Sequence, residues 1–354
     1  MWTLRAATHL ITKLVLGFNP DSLETAAVRS WEVAPGTHSV VPRSYFLPGQ
    51  LERVTGWAFI DEHPRRLVEG GYSEHHLPTR AFLLKDALLL DGTLYCGSAC
   101  AYLQPRAHRR PMFRVERELQ RGAVYCTAPG NRYFGSWLLD DCATYPLAAA
   151  EGTPVTTGQA IGAHQRVYEQ LLGMTPERCP SVLLREAVVF HDVGQNPHKG
   201  QRFQALGEKL RSGMDVAPHT GVFILRGGTG ARRTLKNEGE IAERLRDRWG
   251  FRILSPMEAT VPAIIAACAG ARCVVGIEGS ALVHGLLHLL PGGTLFALQP
   301  PNRFGVVLKD VAERDGRNFA FVVGTLVGED FVVDADEVER TLALLPAFSG
   351  PSEG

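Results

Sequence analysis

The clearest regularity along the chain is a switching hydrophobic period between residues 221 and 299. Residues 222–225 form a continuous apolar run, and a glycine-rich loop carrying Arg226, Arg232 and Arg233 follows. Next, Ile241, Leu245 and Trp249 recur at i, i+4 and i+8, one apolar face of a helix that Gly250 can end. FRIL then predicts a short strand, MEATVPAIIAACAGA a helix, RCVVGI a strand, EGSALVHGLLHLL a helix and GGTLFALQ a strand. Short apolar strands alternating with helices predict a parallel, doubly wound α/β sheet, with its ligand crevice at the carboxyl ends of the strands.

Outside this stretch the signals are more mixed. Residues 20–80 are rich in Pro and Gly, hold β-like runs such as HSVVP and GWAFI, and predict an irregular, strand-containing start to the first domain. AFLLKDALLLDGTLYCG predicts a hairpin turning at Asp91 and Gly92. GAVYCTA reads as a strand, PGNRYFG as a turn, and SWLLDDCATYPLAAA as a helix capped by Ser136, with Asp140 and Asp141 in or just beyond its first turn. IGAHQRVYEQLLGM predicts an amphipathic helix, SVLLREAVVF a strand, and HDVGQNPHKGQR a loop. NFAFVVG and DADEVERTLALLPAF close the chain as strand and helix. The predicted division is residues 1–205, 206–330 and a terminal helical segment 331–354.

Composition narrows the function classes. A chain of 354 residues with 45% apolar content can build two cores. Its 37 basic and 37 acidic residues cancel, so the footprint of a general nucleic-acid binder is absent. The arginines of RAHRRPMFRVERELQR suit an acidic glycan or lipid phosphate, and equally a solvated face. His75 and His76 read as acceptor contacts or as solvated loop residues. Seven scattered cysteines without CxxC spacing, Cys96 and Cys100 being the nearest pair, suggest neither a disulfide framework nor zinc, and so a reducing, cytoplasmic setting. No apolar run approaches the roughly 20 residues of a membrane span, which predicts a soluble protein. The leucines of MWTLRAATHLITKLVLGF suit a helix packed on its own domain or one touching a membrane surface.

RGGTGARRTLKNEGEI followed by VVGIEGSALVHGLL resembles the signature half of glycosyltransferase family 61, the enzymes of capsule, xylan and protein O-glycan synthesis. NRYFGSWLLDDCATYPL resembles that family's second marker, an aromatic-rich turn into a helix bearing an acidic residue. The resemblance implies two Rossmann-like domains facing a cleft, with the last helix returning to the first domain. It also implies an inverting transfer of sugar from a nucleotide-sugar donor to a glycan or glycolipid hydroxyl.

A departing diphosphate needs a metal, cations or a helix N-terminus, and the sequence offers the last two. Arg226, Arg232 and Arg233 suit bidentate phosphate contacts, and the amides of Gly279, Ser280 and Ala281 open the next helix; exposed arginines and turn glycines are the plainer reading. Asn237 and Glu238 match the family's NE pair, and also suit a helix start. Glu278 stands at a strand–helix junction where a carboxylate can accept from ribose hydroxyls, although the family often has histidine there. His284 faces either donor or core. Asp334 and Asp336 form the only Asp-x-Asp tripeptide, which N-capping explains, so neither metal nor cofactor is expected. For the base, Asp140 matches the family's acidic residue, with Asp141 as orienter or substitute, since consecutive helical side chains point about 100° apart. Ser136 stands where the family usually has histidine. A non-catalytic carbohydrate- or nucleotide-binding module therefore stays open as the alternative. The absence of GxGxxG after a strand and of GxxxxGK[ST] argues against a dehydrogenase and a P-loop NTPase.

Overall fold

The computed structural model describes residues 2–4, 7–8, 21–58, 64–104, 112–115, 117–226 and 234–348. The chain forms two compact units, both discontinuous: Met1–Thr37 with Leu77–Phe203, and His38–His76 with Gln204–Gly354.

The first unit is built on an eight-stranded sheet. Its strands are β1 (Arg29–Ala34), β2 (Thr79–Leu90), β3 (Thr93–Cys96), β4 (Ala99–Tyr102), β5 (Arg117–Val124), β6 (Thr153–Thr157), β7 (Glu177–Cys179) and β8 (Ser181–His191). They lie in the order β7-β6-β5-β8-β2-β3-β4, with β1 also on β2. β7, β6, β5 and β8 are mutually parallel, whereas β8–β2, β1–β2, β2–β3 and β3–β4 are antiparallel. The turn between β2 and β3 falls at the expected Asp91 and Gly92, both left-handed at φ 44° and 75°, which matches the twist of a two-residue hairpin. The resemblance implies a second Rossmann-like fold here, but half of this sheet is hairpin-built and antiparallel.

The helices of this unit correct three local expectations. PGNRYFG is no turn: Ala128–Arg132 is helical (α1), capped by the Thr127 hydroxyl accepting from Gly130 N at 3.0 Å. Ser136 is no cap, because Phe134–Ser136, Trp137–Asp141 and Cys142–Glu151 form one helix (α2) and Ser136 already has helical angles. Its middle turn is π-helical, with Cys142 N–H donating to the Trp137 carbonyl. Ala163–Leu171 (α3) is the expected amphipathic helix. The supposed loop after β8 becomes helix at Pro197–Leu210 (α4), where the Asn196 side chain accepts from Lys199 N at 3.0 Å.

The second unit contains the periodic stretch. β9 (His219–Ile224), β10 (Arg252–Leu254), β11 (Ala271–Ile277), β12 (Thr294–Gln299) and β13 (Asn318–Val323) form a wholly parallel sheet in the order β10-β9-β11-β12-β13. Helices α5 (Glu238–Trp249), α6 (Val261–Cys268), α7 (Leu282–Leu286), α8 (Val307–Arg314) and α9 (Ala335–Leu342) connect or follow the strands. All six residues of β12 are buried, as expected of a parallel strand covered on both faces. Gly250 ends α5 at φ 71°. α7 is only five residues long, far shorter than EGSALVHGLLHLL suggests.

Residues 38–76, which the sequence assigns to the first domain, pack with this unit because its edge strand needs cover. Tyr45 bridges to β13, donating to Phe319 O at 2.9 Å and accepting from Phe321 N at 3.1 Å. The buried Gln50 accepts from Val323 N at 2.6 Å and donates to Glu337 Oε2 at 3.0 Å, beside a bidentate Arg53–Glu337 pair at 2.7 and 2.6 Å. Glu337 lies on α9, which also contacts β13 and α5, so the last helix belongs to this unit. Asp334 caps α9 by accepting from Asp336 N at 2.8 Å, and Asp336 pairs with Arg244. His75 stacks near His38 at 4.6 Å and His76 Nε2 lies 2.8 Å from the Ser39 hydroxyl. Much of the amino-terminal 18-residue stretch, and residues 106–111 and 116 of the arginine cluster at 106–121, lie outside the described residues. The cluster's described Arg117 pairs with Glu177, and Arg121 with Glu151 and Glu186. Among the described residues no helix is long and apolar enough to cross a membrane.

Glycine sets the approach of β11 to its neighbours. A Cβ at Gly276 would stand 2.6 Å from the Ile224 carbonyl oxygen and 2.9 Å from Leu282 Cδ2. Gly276→Ala is therefore expected to lose about 1–3 kcal/mol of stability. Gly239→Ala, exposed on α5 with open space around it, should gain about 0.5–1 kcal/mol. Urea denaturation of both variants checks the opposite signs.

Candidate active site

In the first unit the carboxyl ends of β5 and β8 meet the start of α2, and there a cavity of about 560 Å³ opens. Asp140 lines it, and so does Lys199, whose side chain is only 1% exposed. A buried ammonium demands partners. Lys199 Nζ donates to Asp140 Oδ1 at 2.6 Å and to the Asp192 carbonyl at 2.7 Å. Asp192 is fixed in turn: its Oδ2 accepts from Arg202 at 2.6 Å and its Oδ1 from the Thr79 hydroxyl at 2.6 Å. The Thr144 hydroxyl has Asp192 Oδ2 at 3.0 Å and the Asp140 carbonyl at 2.9 Å, and donates to one at a time. Asn196 completes the chain by donating to Thr79 Oγ1 at 3.2 Å and to the Leu77 carbonyl at 3.1 Å.

This network divides the two adjacent aspartates. The Asp140 side chain is 34% exposed, with Oδ1 on Lys199 and Oδ2 without a hydrogen-bond partner among the described residues. Asp141 is 1% exposed, and its Oδ1 accepts from both the amide and the hydroxyl of Thr127, at 3.1 and 2.8 Å. Burial pushes the Asp141 carboxyl well above the usual carboxylate range, against the pull of Thr127 and with a further push from the Asp140 charge. Asp141 thus ties the start of α1 to α2. Among the described residues, no side-chain hydrogen bond joins it to Asp140.

Lys199, Asp192, Arg202, Thr144 and Thr79 were not singled out by the sequence. One signal was available: Asn196-Pro197 is a cap followed by a proline at the first helical position, which places Lys199 in the first turn of a helix. That its ammonium reaches Asp140, 59 residues away, is a tertiary fact.

The second unit has its own crevice. The chain leaves β9 for β10 on one side and reaches β11 on the other, so the switch point lies between the carboxyl ends of β9 and β11. There Arg226 Nη1 donates to the Glu278 carbonyl at 3.1 Å, and Arg226 N donates to Glu238 Oε1 at 2.8 Å. Burial raises the Glu238 carboxyl above its ordinary value despite that bond. Gly279, Ser280 and Ala281 continue directly from Glu278, with Gly279 at φ 144°.

A family model described as Glycosyltransferase 61 matches residues 40–296. The chain belongs to glycosyltransferase family 61. Among curated proteins none matches it. Family 61 membership makes the protein a glycosyltransferase, acting on a sugar donor and an acceptor.

Against the residues proposed for this family 61 chain, the structure gathers Arg226, Glu238, Glu278 and the 279–281 turn at the carboxyl end of the sheet, by β9 and β11. It turns two others away. The Asn237 amide donates to the Val333 carbonyl at 2.8 Å and its Oδ1 accepts from Val333 N at 3.2 Å, with no capping bond to α5. His284 is 3% exposed, inside the short α7. Arg232 and Arg233 lie outside the described residues.

The environment of Asp141 has a pH signature. Its raised folded-state pKa means that the native protein holds a proton which the unfolded chain, with a carboxyl near 3.9, has released. Stability is therefore lost as pH rises above the unfolded value, and the loss is complete once pH passes the folded one. Asp141→Asn keeps the acceptor for Thr127 and removes the titration, so its melting temperature should gain on wild type as pH rises from about 4 to 8. A pH-independent difference would show that ionising Asp141 carries no penalty. Asp141→Ala, which leaves the Thr127 amide unpaired, should cost about 1–3 kcal/mol.

Proposed function

We propose that this family 61 protein is an inverting, metal-independent transferase that moves a sugar from a nucleotide-sugar donor to a hydroxyl of a glycan or glycolipid. The observation that carries the reading is Asp140: it lines a ligand-sized cavity, and one of its carboxylate oxygens is anchored by a buried lysine. In the proposed step the acceptor oxygen attacks the anomeric carbon, the bond from that carbon to the diphosphate oxygen breaks, and the acceptor proton passes to Asp140 Oδ2. Lys199 fixes the carboxylate's orientation by holding Oδ1. Arg226 at the switch point, with Arg232 and Arg233 a few positions on in the sequence, balances charge on the departing diphosphate, and the turn from Gly279 to Ala281 contributes amides. Glu278 and Glu238 supply acceptors for donor hydroxyls. No metal or other cofactor has a step in this scheme, whose setting is the cytoplasm or the cytoplasmic face of a membrane.

Asp140→Asn retains an oxygen for Lys199 but has almost no proton affinity. Turnover should fall by roughly 10²- to 10⁴-fold with little change in donor affinity, and the melting temperature should fall too, because the buried Lys199 loses its counter-charge. Steady-state kinetics decides this, and near wild-type turnover would remove Asp140 from the mechanism. Calorimetry with nucleoside diphosphates in EDTA tests the donor side. Wild type should bind without metal, and Arg226→Ala should weaken binding by about 10- to 100-fold, the equivalent of one charge-assisted hydrogen bond. Binding that vanishes in EDTA and returns with Mg²⁺ would overturn metal independence. Diphosphate binding in a protein that transfers no sugar would instead mark a binding module.

A further inference from the structure

The cavity beside Asp140 is two-faced. Its polar lining residues divide: Ser22, Glu24, His191, Gln195 and Asp140 are open or half-open to solvent, whereas Lys199 and Thr144 are buried and already bonded to Asp140 or Asp192. Behind them the walls are Phe82, Leu94, Val124, Val189 and Cys126, each buried, together with the half-buried Leu103. Burial pushes the Cys126 thiol up to about 11, so that wall is uncharged. A protein interior packs like an organic crystal, and an apolar void is not filled by water. An apolar space of this size is a binding feature, not a packing accident. A free sugar fits it badly, because hydroxyls driven against Leu94, Val124 and Phe82 would lose water without finding partners.

We infer that the acceptor is an amphiphile, a sugar hydroxyl carried on an alkyl-type chain, with the chain laid over the face of the sheet formed by β5, β8, β2 and β3 and the hydroxyl held at the rim beside Asp140. This rests on the transfer reading above and narrows its acceptor to the lipid-linked class. The apolar wall supplies affinity without touching the reacting atoms, while Asp140 Oδ2, Thr127 and Gln195 supply the polar contacts at the rim. Chain length therefore controls affinity, and the polar head controls whether a hydroxyl reaches the base.

The test uses the full chain and n-alkyl β-D-glucosides from methyl to nonyl, each below its micelle-forming concentration, with affinity measured by calorimetry. The expected result is a Kd that falls by up to roughly fourfold per added methylene and levels off once the cavity is filled. Ala101→Phe places a ring at a half-buried lining position and should flatten the series while binding methyl β-D-glucoside as wild type does. A flat series in the wild-type protein overturns the inference, and if Asp140-dependent transfer persists, only the inference falls. A steep series that Ala101→Phe abolishes, in a protein without transferase activity, upholds the apolar site and sinks the transfer reading instead. A steep series unchanged by Ala101→Phe places the chains elsewhere and overturns the assignment to this cavity.

Discussion

Lys199 has no water to solvate its charge, and much of the first unit's architecture answers to that fact. Two oxygens accept from it, one from Asp140 on α2 and one from the backbone of Asp192 just past β8. Holding both in place recruits Thr79 at the start of β2, Thr144 on α2, and Arg202 and Asn196 on α4 and its cap. The result is a carboxylate with one side fixed. A side chain held this way has already lost the rotational freedom that a free one would give up on meeting a ligand.

The π-helical turn serves the same end from the other direction. Adjacent aspartates on one helix could not both serve the cavity, and here they are separated into a solvated member and a buried one. The buried member gives the Thr127 amide and hydroxyl an acceptor and so fastens the short α1 to α2. One sequence step thus separates a group available to ligand from a group that holds the ground beneath it.

The sequence disclosed most where period and punctuation agreed. In the second unit, the runs at 222–224, 252–254, 271–277 and 294–299 are nearly unbroken apolar segments between turn residues, and every one is a strand. It disclosed less where short-range signals compete. Thr127-Ala128-Pro129 and Asn196-Pro197 both look like loop because of their prolines, yet both are capped helix starts. The π turn leaves no compositional trace. Of the candidate site, Asp140 was legible through the family's motif and the Arg226–Glu278 pair through the topology. The Lys199 network was not, since its partners are separated by up to 119 residues and meet only once the sheet exists.

The discontinuity of the second unit has a temporal side. Gln50 and Arg53 find their partners at Val323 and Glu337, 273 and 284 residues later. At usual synthesis rates that gap lasts roughly 15 to 60 s, during which the first unit's last residue has emerged but the segment at 38–76 still lacks its sheet. Residues such as Tyr45, Phe46 and Leu51 must wait, exposed, for strands not yet made. Folding of this chain is therefore not a simple progression from amino to carboxyl terminus: an early segment is completed last, and its apolar side chains are the natural point at which a chaperone would hold the nascent protein.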